Sequence, residues 1–116
     1  MGNQIELDDR YEAETILAWD RIADSCTFQF DGYGDDEISS LLKDSSLCNS
    51  ESVLIFLDYE SPIFEVPTPL FIEKWSLFFG ASGYMGFFGA SVKSNYLFEF
   101  TDSPFNLFNN FAVRSY

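Results

Sequence analysis

The sequence contains no histidine. That removes the commonest general base and the commonest ligand for transition metals, so Ser-His-Asp and Cys-His machinery is excluded within the chain. Basic residues are scarce, with six Lys and Arg in 116 residues. Phosphate binding needs clustered Lys and Arg, so direct binding to nucleic acid or to an anionic membrane surface is not expected. There are two cysteines, Cys26 and Cys48. With no secretion signal to argue for an oxidising compartment, two buried free thiols are expected rather than a disulfide. The first ten residues, MGNQIELDDR, show no basic stretch followed by an apolar one. They begin as a myristoylation site does, but Glu6 stands where Ser or Thr is required and no polybasic segment follows. No run approaches the roughly 20 apolar residues that cross a bilayer. A cytoplasmic location without a membrane partner is the expectation.

Acid and aromatic residues dominate what is present. Nineteen Asp and Glu give a net charge of −13 and a pI near 4.1. Such a surface favours cationic partners, although charge of this size also serves solubility alone. Hydrophobic residues make up 47% of the chain and aromatics 19%, with fourteen Phe. A domain of this length buries about two-thirds of the surface its unfolded chain exposes, so there is material for one core. The two kinds of residue are segregated. Twelve of the acids lie in residues 1–44, and twelve of the Phe lie in 45–116. The first part reads as an acidic surface and the second as the aromatic body. No linker or second domain is visible.

Local patterning predicts an α+β single domain, with a mostly antiparallel sheet of four or five strands and about three packed helices. Ile16, Trp19, Ile22 and Ala23 recur at helical spacing, so residues 9–24 are read as an amphipathic helix capped by Asp8 or Asp9. Cys26, Phe28 and Phe30 alternate with polar residues as in a strand, and Asp31-Gly32-Tyr33-Gly34 supplies turn chemistry. Residues 35–43 form a second, short helix, with acids at its start, Asp35 as N-cap and Lys43 near its end. Residues 53–59 open with a continuous apolar run, read as a central strand buried on both faces. Ile63 to Val66 is its partner at an edge, after Pro62. Thr68-Pro69 starts a helix over 69–79, with Gly80 as its stop. Strands are expected at 96–101 and 110–114.

The acidic run Asp31, Asp35, Asp36 and Glu37, with Tyr33 inside it, is the first candidate site. An aromatic ring flanked by carboxylates combines desolvated area with steering and charge-assisted bonds for a Lys/Arg-rich partner. The plainer reading is a solvated turn and helix start, where acids are favoured locally. The same run fails as a calcium loop, because Tyr33 and Asp36 occupy positions that need a carboxylate and a glycine. Asp58, Tyr59 and Glu60 follow the 53–57 run. They offer a second binding edge or, as paired carboxylates, an acid and base. Gly80, Gly83, Gly86 and Gly89 fall at regular threes, but no Walker lysine accompanies them. They are read as a loop or a strand against which a bulky Phe packs closely. Neither a metal nor a cofactor is expected.

This profile resembles the immunity proteins of bacterial toxins, the contact-dependent growth inhibition class among them. The resemblance rests on a small, very acidic, aromatic-rich chain without catalytic equipment, and on Asn95-Tyr96-Leu97-Phe98-Glu99-Phe100 and Asn109-Asn110-Phe111. It implies a non-enzymatic inhibitor that neutralises a cognate toxin, a basic nuclease domain in many such systems, by direct contact. Asp31, Tyr33, Asp35, Asp36, Glu37, Asp58, Tyr59 and Glu60 are then the expected contacts, with Tyr11 a further aromatic anchor. Three other readings stay open on the residues alone. They are an acidic nucleic-acid mimic that inhibits a DNA-binding protein, a ligand-binding domain or small enzyme using Asp58 or Glu60 beside an aromatic pocket, and a plain adaptor.

Overall fold

Six strands form one antiparallel sheet, and two helices pack on one of its faces. The computed structural model describes residues 15, 17–57, 62–82, 86–102 and 105–113. In chain order the elements are β1 (Cys26–Gln29), α1 (Asp35–Lys43), β2 (Ser52–Phe56), β3 (Phe64–Pro67), α2 (Thr68–Ala81), β4 (Gly86–Ser91), β5 (Leu97–Thr101) and β6 (Asn106–Asn109). The strands lie side by side in the order β1-β6-β5-β4-β2-β3, so β1 and β3 are the edges. The α+β class is as the sequence implies, with six strands in place of four or five and two α-helices in place of three among the described residues. Among the described residues, no helix is long and apolar enough to cross a membrane.

Alternation along each strand sorts side chains onto two faces. Val53, Ile55, Phe87, Phe98, Phe100, Leu107 and Phe28 project to the helix side and are buried there. α1 contributes Ile38 and Leu42, and α2 contributes Phe71, Trp75 and Phe79. Rings from sheet and helix stack directly. Phe100 lies 5.2 Å from Trp75 at 10° and 5.0 Å from Phe87 at 19°, while Phe71 stacks on Phe98 at 4.9 Å. Gly89 makes this possible. A Cβ there would collide with Phe98 Cζ and sit 2.7 Å from the Leu54 carbonyl oxygen, so only glycine lets the Phe98 ring cross β4.

The opposite face is closed differently. Leu17, Ala18 and Trp19 lie buried against it, with Leu97 and Ala90 beneath them. Glu99, on β5, one of the two central strands, and 3% exposed, accepts hydrogen bonds from Leu17 N and Trp19 Nε1, both at 3.0 Å. Trp19 also stacks on Phe108 at 5.9 Å, and Phe56 stacks on Phe88 at 4.6 Å across the β2–β4 pair.

Several expectations are corrected. Of the helix read over 9–24, residues 9–14 and 16 lie outside the described ones. Residues 17–24 are not an α-helix; they hold a single 3₁₀ turn at Trp19–Arg21. The apolar residues at 17 and 19 alternate because they face the sheet. The last described strand is 106–109; residues 110–113 of the expected 110–114 are not a strand, and Arg114 lies outside the described residues. Asn109 Oδ1 accepts from Phe111 N (3.1 Å) and Val113 N (3.0 Å), and its Nδ2 donates to Val113 O (2.7 Å), so one side chain satisfies the backbone of a turn there. β2 stands second from the edge, buried on the helix side and half-buried on the other, while β5 is the strand buried along its whole length. α2 begins at Thr68, with Pro67 as its N-cap, and runs through Gly80 to Ala81. Neither thiol is bridged, but Cys26 is half-buried and Cys48 exposed, so neither is a core thiol.

Candidate functional site

The turn after β1 creates the most prominent acidic feature of the described surface. Phe30 N donates to Phe105 O (3.0 Å) as β1 ends, and Tyr33 N donates back to Phe30 O (3.1 Å). This closes a four-residue turn with Gly32 at its third position. Gly32 has φ +89°, the left-handed value that type II turns place there and that an L side chain rarely adopts. The chain then enters α1 through Gly34, which is the N-cap in place of the expected Asp35. Glu37 Oε1 accepts from Gly34 N at 3.0 Å, which ties one carboxylate of the run to the helix start. Asp35 and Asp36 sit in the first turn, where the partial positive charge of the helix end favours them.

Asp31, Asp35 and Asp36 are exposed, and among the described residues their carboxylates have no hydrogen-bond or ion-pair partner. Tyr33 projects from the middle of the run, 46% exposed, its ring held edge-on against Phe28 at 4.9 Å. Asp31, Tyr33 and Asp35 line one side of a cleft of about 450 Å³, and α2 forms the other. Its floor is aromatic, made by the buried rings of Phe30, Trp75 and Phe79, with half-buried Phe105 beside them. Phe30 meets Trp75, Phe79 and Phe105 at ring separations between 5.6 and 5.9 Å. Trp75 Nε1 donates to Asp35 O at 3.2 Å, fastening the floor to the first turn of α1. Leu77 stands on the α2 rim, 65% exposed and the most exposed large apolar side chain described. Carboxylates, the half-exposed Tyr33 ring and the exposed Leu77 together suit recognition of a cationic, partly apolar surface.

A second cleft, of about 460 Å³, lies between α1 and α2 and is lined by Ser40, Lys43, Cys48, Ile72 and Glu73 among others. It carries one ammonium and one carboxylate, so it offers no net sign to a partner. Size does not separate the two clefts; charge and aromatic content do.

The structure thus brings Asp31, Tyr33 and Asp35 together on one cleft. It places Asp36 beside them on the helix start and commits Glu37 to the helix cap. Asp58, Tyr59 and Glu60, like Tyr11, lie outside the described residues. β1 and β2 run in the same direction, so Gln29 and Phe56 finish at the same end of the sheet, four strand positions apart. At about 4.8 Å per strand that is about 19 Å, within the width of one protein–protein interface. Leu77, Trp75 and Phe105 are absent from the contacts expected from sequence, and Trp75 and Phe79 are at the same time buried core residues. Leu77 carries the one signal that was available, a large apolar residue directly before the Phe78-Phe79 pair of an already apolar helix.

No protein-family model matches the chain, and neither a curated protein nor a solved structure matches it.

Proposed function

We propose that the protein is an inhibitor that acts by direct contact on a basic protein, as an immunity protein does on its cognate toxin, with a nuclease domain the simplest such target. It carries out no reaction of its own in this reading and works in the cytoplasm. The observation that carries the proposal is the set of exposed carboxylates at Asp31 and Asp35 on the cleft and Asp36 beside it, unpaired among the described residues, in a chain of net charge −13. A nuclease site is electropositive because it must hold phosphate. An acidic surface complements it and speeds encounter, to about 10⁸ M⁻¹s⁻¹ or more at low salt. Tyr33 and Leu77 supply the apolar anchors that such an interface needs near its centre.

Capture from the native host at physiological salt, followed by mass spectrometry, identifies the partner. Association of that partner is then measured with the triple variant Asp31→Asn, Asp35→Asn, Asp36→Asn, which removes charge without placing cations at the α1 N-terminus. The variant is expected to associate about tenfold more slowly at low salt, with a difference that shrinks as salt is added. Unchanged association would remove this surface from the interface. Capture of several unrelated basic proteins, in place of one, would favour the nucleic-acid-mimic reading.

A further inference from the structure

We propose that the cleft between the β1–α1 turn and α2 is the seat of a single arginine side chain supplied by the basic partner. This rests on the reading above and adds the chemistry of the group received. The acids alone would be an ordinary helix start, and the rings alone an ordinary core wall. Their juxtaposition selects the occupant. Phe30, Trp75 and Phe79, 6%, 3% and 5% exposed, close an apolar floor, the Tyr33 ring stands 46% exposed beside it as the π surface open to an entering group, and Asp31 and Asp35 stand on the rim with no cation among the described residues paired to them. A guanidinium is planar and weakly hydrated, so it can leave water, lie against a ring and still direct its N–H fork at a carboxylate. An ammonium is compact and strongly hydrated, and it gives up more solvation on entering an aromatic cleft. Tyr33 and Leu77 flank the entrance, where the aliphatic stem of the entering side chain would lie. The cleft volume of about 450 Å³ exceeds what one such side chain needs, which leaves room for the neighbouring backbone of the partner.

The chain reports on this cleft by itself. It has two tryptophans, one on each side of the sheet. Trp75 forms the cleft floor and bonds Asp35 O, whereas Trp19 bonds Glu99 on the opposite face. Their two indole N–H signals in a ¹H–¹⁵N spectrum therefore separate the faces. The probes are the capped peptides Gly-Arg-Gly, Gly-Lys-Gly and Gly-citrulline-Gly, titrated into the full chain at physiological salt. With the arginine peptide, the Trp75 indole signal should move along a saturable curve while the Trp19 signal stays fixed. Binding should be about fivefold tighter than for the lysine peptide, and the uncharged citrulline peptide should leave both signals in place. Asp31→Asn with Asp35→Asn should weaken the arginine titration about fivefold or more while lowering the melting temperature by only a few degrees, the share of the lost helix-end charge.

Equal response to arginine and lysine overturns the choice of arginine. Shifts confined to the amides of Asp36 and Glu37, with Trp75 unmoved, overturn the cleft as the seat but leave the acidic surface as a partner site. A cleft titration that succeeds, joined to a captured partner that associates equally well with the Asp31, Asp35 and Asp36 triple variant, upholds arginine recognition while the proposed interface fails.

Discussion

The two faces of the sheet are both apolar, and they are sealed by different physics. The helix side is closed by rings packed on rings, with Phe100 between Trp75 and Phe87 and Phe71 over Phe98. The other side is closed by a short strap, Leu17 to Trp19, held to the sheet by one buried carboxylate. The first device relies on area and shape, which tolerate no lost volume. The second relies on two directed hydrogen bonds, which depend on one acceptor. Neighbouring residues of β5 separate the two, because Phe100 points to the helices and Glu99 to the strap.

Cutting the ring stack should have the largest effect. Phe100→Ala leaves a cavity among Phe30, Phe71, Trp75 and Phe87, and is expected to lower stability by about 3–5 kcal/mol in urea unfolding. Glu99→Ala comes next. It strips the acceptor from two buried donors, and a cost of about 2–5 kcal/mol is expected, with the Trp19 indole signal moving and Trp75 unaffected. Glu99→Gln keeps an oxygen in place and should cost about 1 kcal/mol. If the two Glu99 variants lose equal stability, the strap is not held by these hydrogen bonds. The smallest effect has the opposite sign. The Thr68 hydroxyl at the start of α2 is fully buried and unbonded. Thr68→Val removes a desolvated polar group at nearly constant shape, and should raise stability by about 1 kcal/mol by the same urea measurement.

Sequence patterns revealed those elements whose signals are local. α1 has acids at its start and Lys43 at its end, and its limits agree with the expected 35–43. β5 alternates cleanly, and β3 announces itself as an edge through Pro62. The misread elements depend on distant partners. Residues 110–113 look like a strand because Phe111 and Val113 are buried in alternation, but their backbone is satisfied by the Asn109 side chain, which no periodicity shows. β6 is hidden because Asn106 and Asn109 have poor strand preference; Asn109 is held by its side-chain hydrogen bonds, whereas Asn106 is carried by backbone pairing with its buried Oδ1 left unbonded among the described residues. Around Trp19 two sequence patterns overlap, Ile16-Trp19-Ile22 at helical spacing and Leu17-Trp19 at strand spacing, and the choice is made by Glu99, eighty residues away. The site divides in the same way. The acidic turn is contiguous in sequence, and its members Asp31, Tyr33 and Asp35 do meet at one cleft. The other wall comes from α2, some forty residues on, and nothing in a one-dimensional reading joins Leu77 to Asp31.

That cleft gives the acidic surface a place to act, and its partner's activity is the direct measure of whether it does. The captured basic protein, assayed on its own substrate with increasing amounts of this protein at physiological salt, should lose its activity in full by about one molar equivalent. A partner that remains active at saturation, or a protein that holds no cationic polypeptide under those conditions, would contradict inhibition by direct contact.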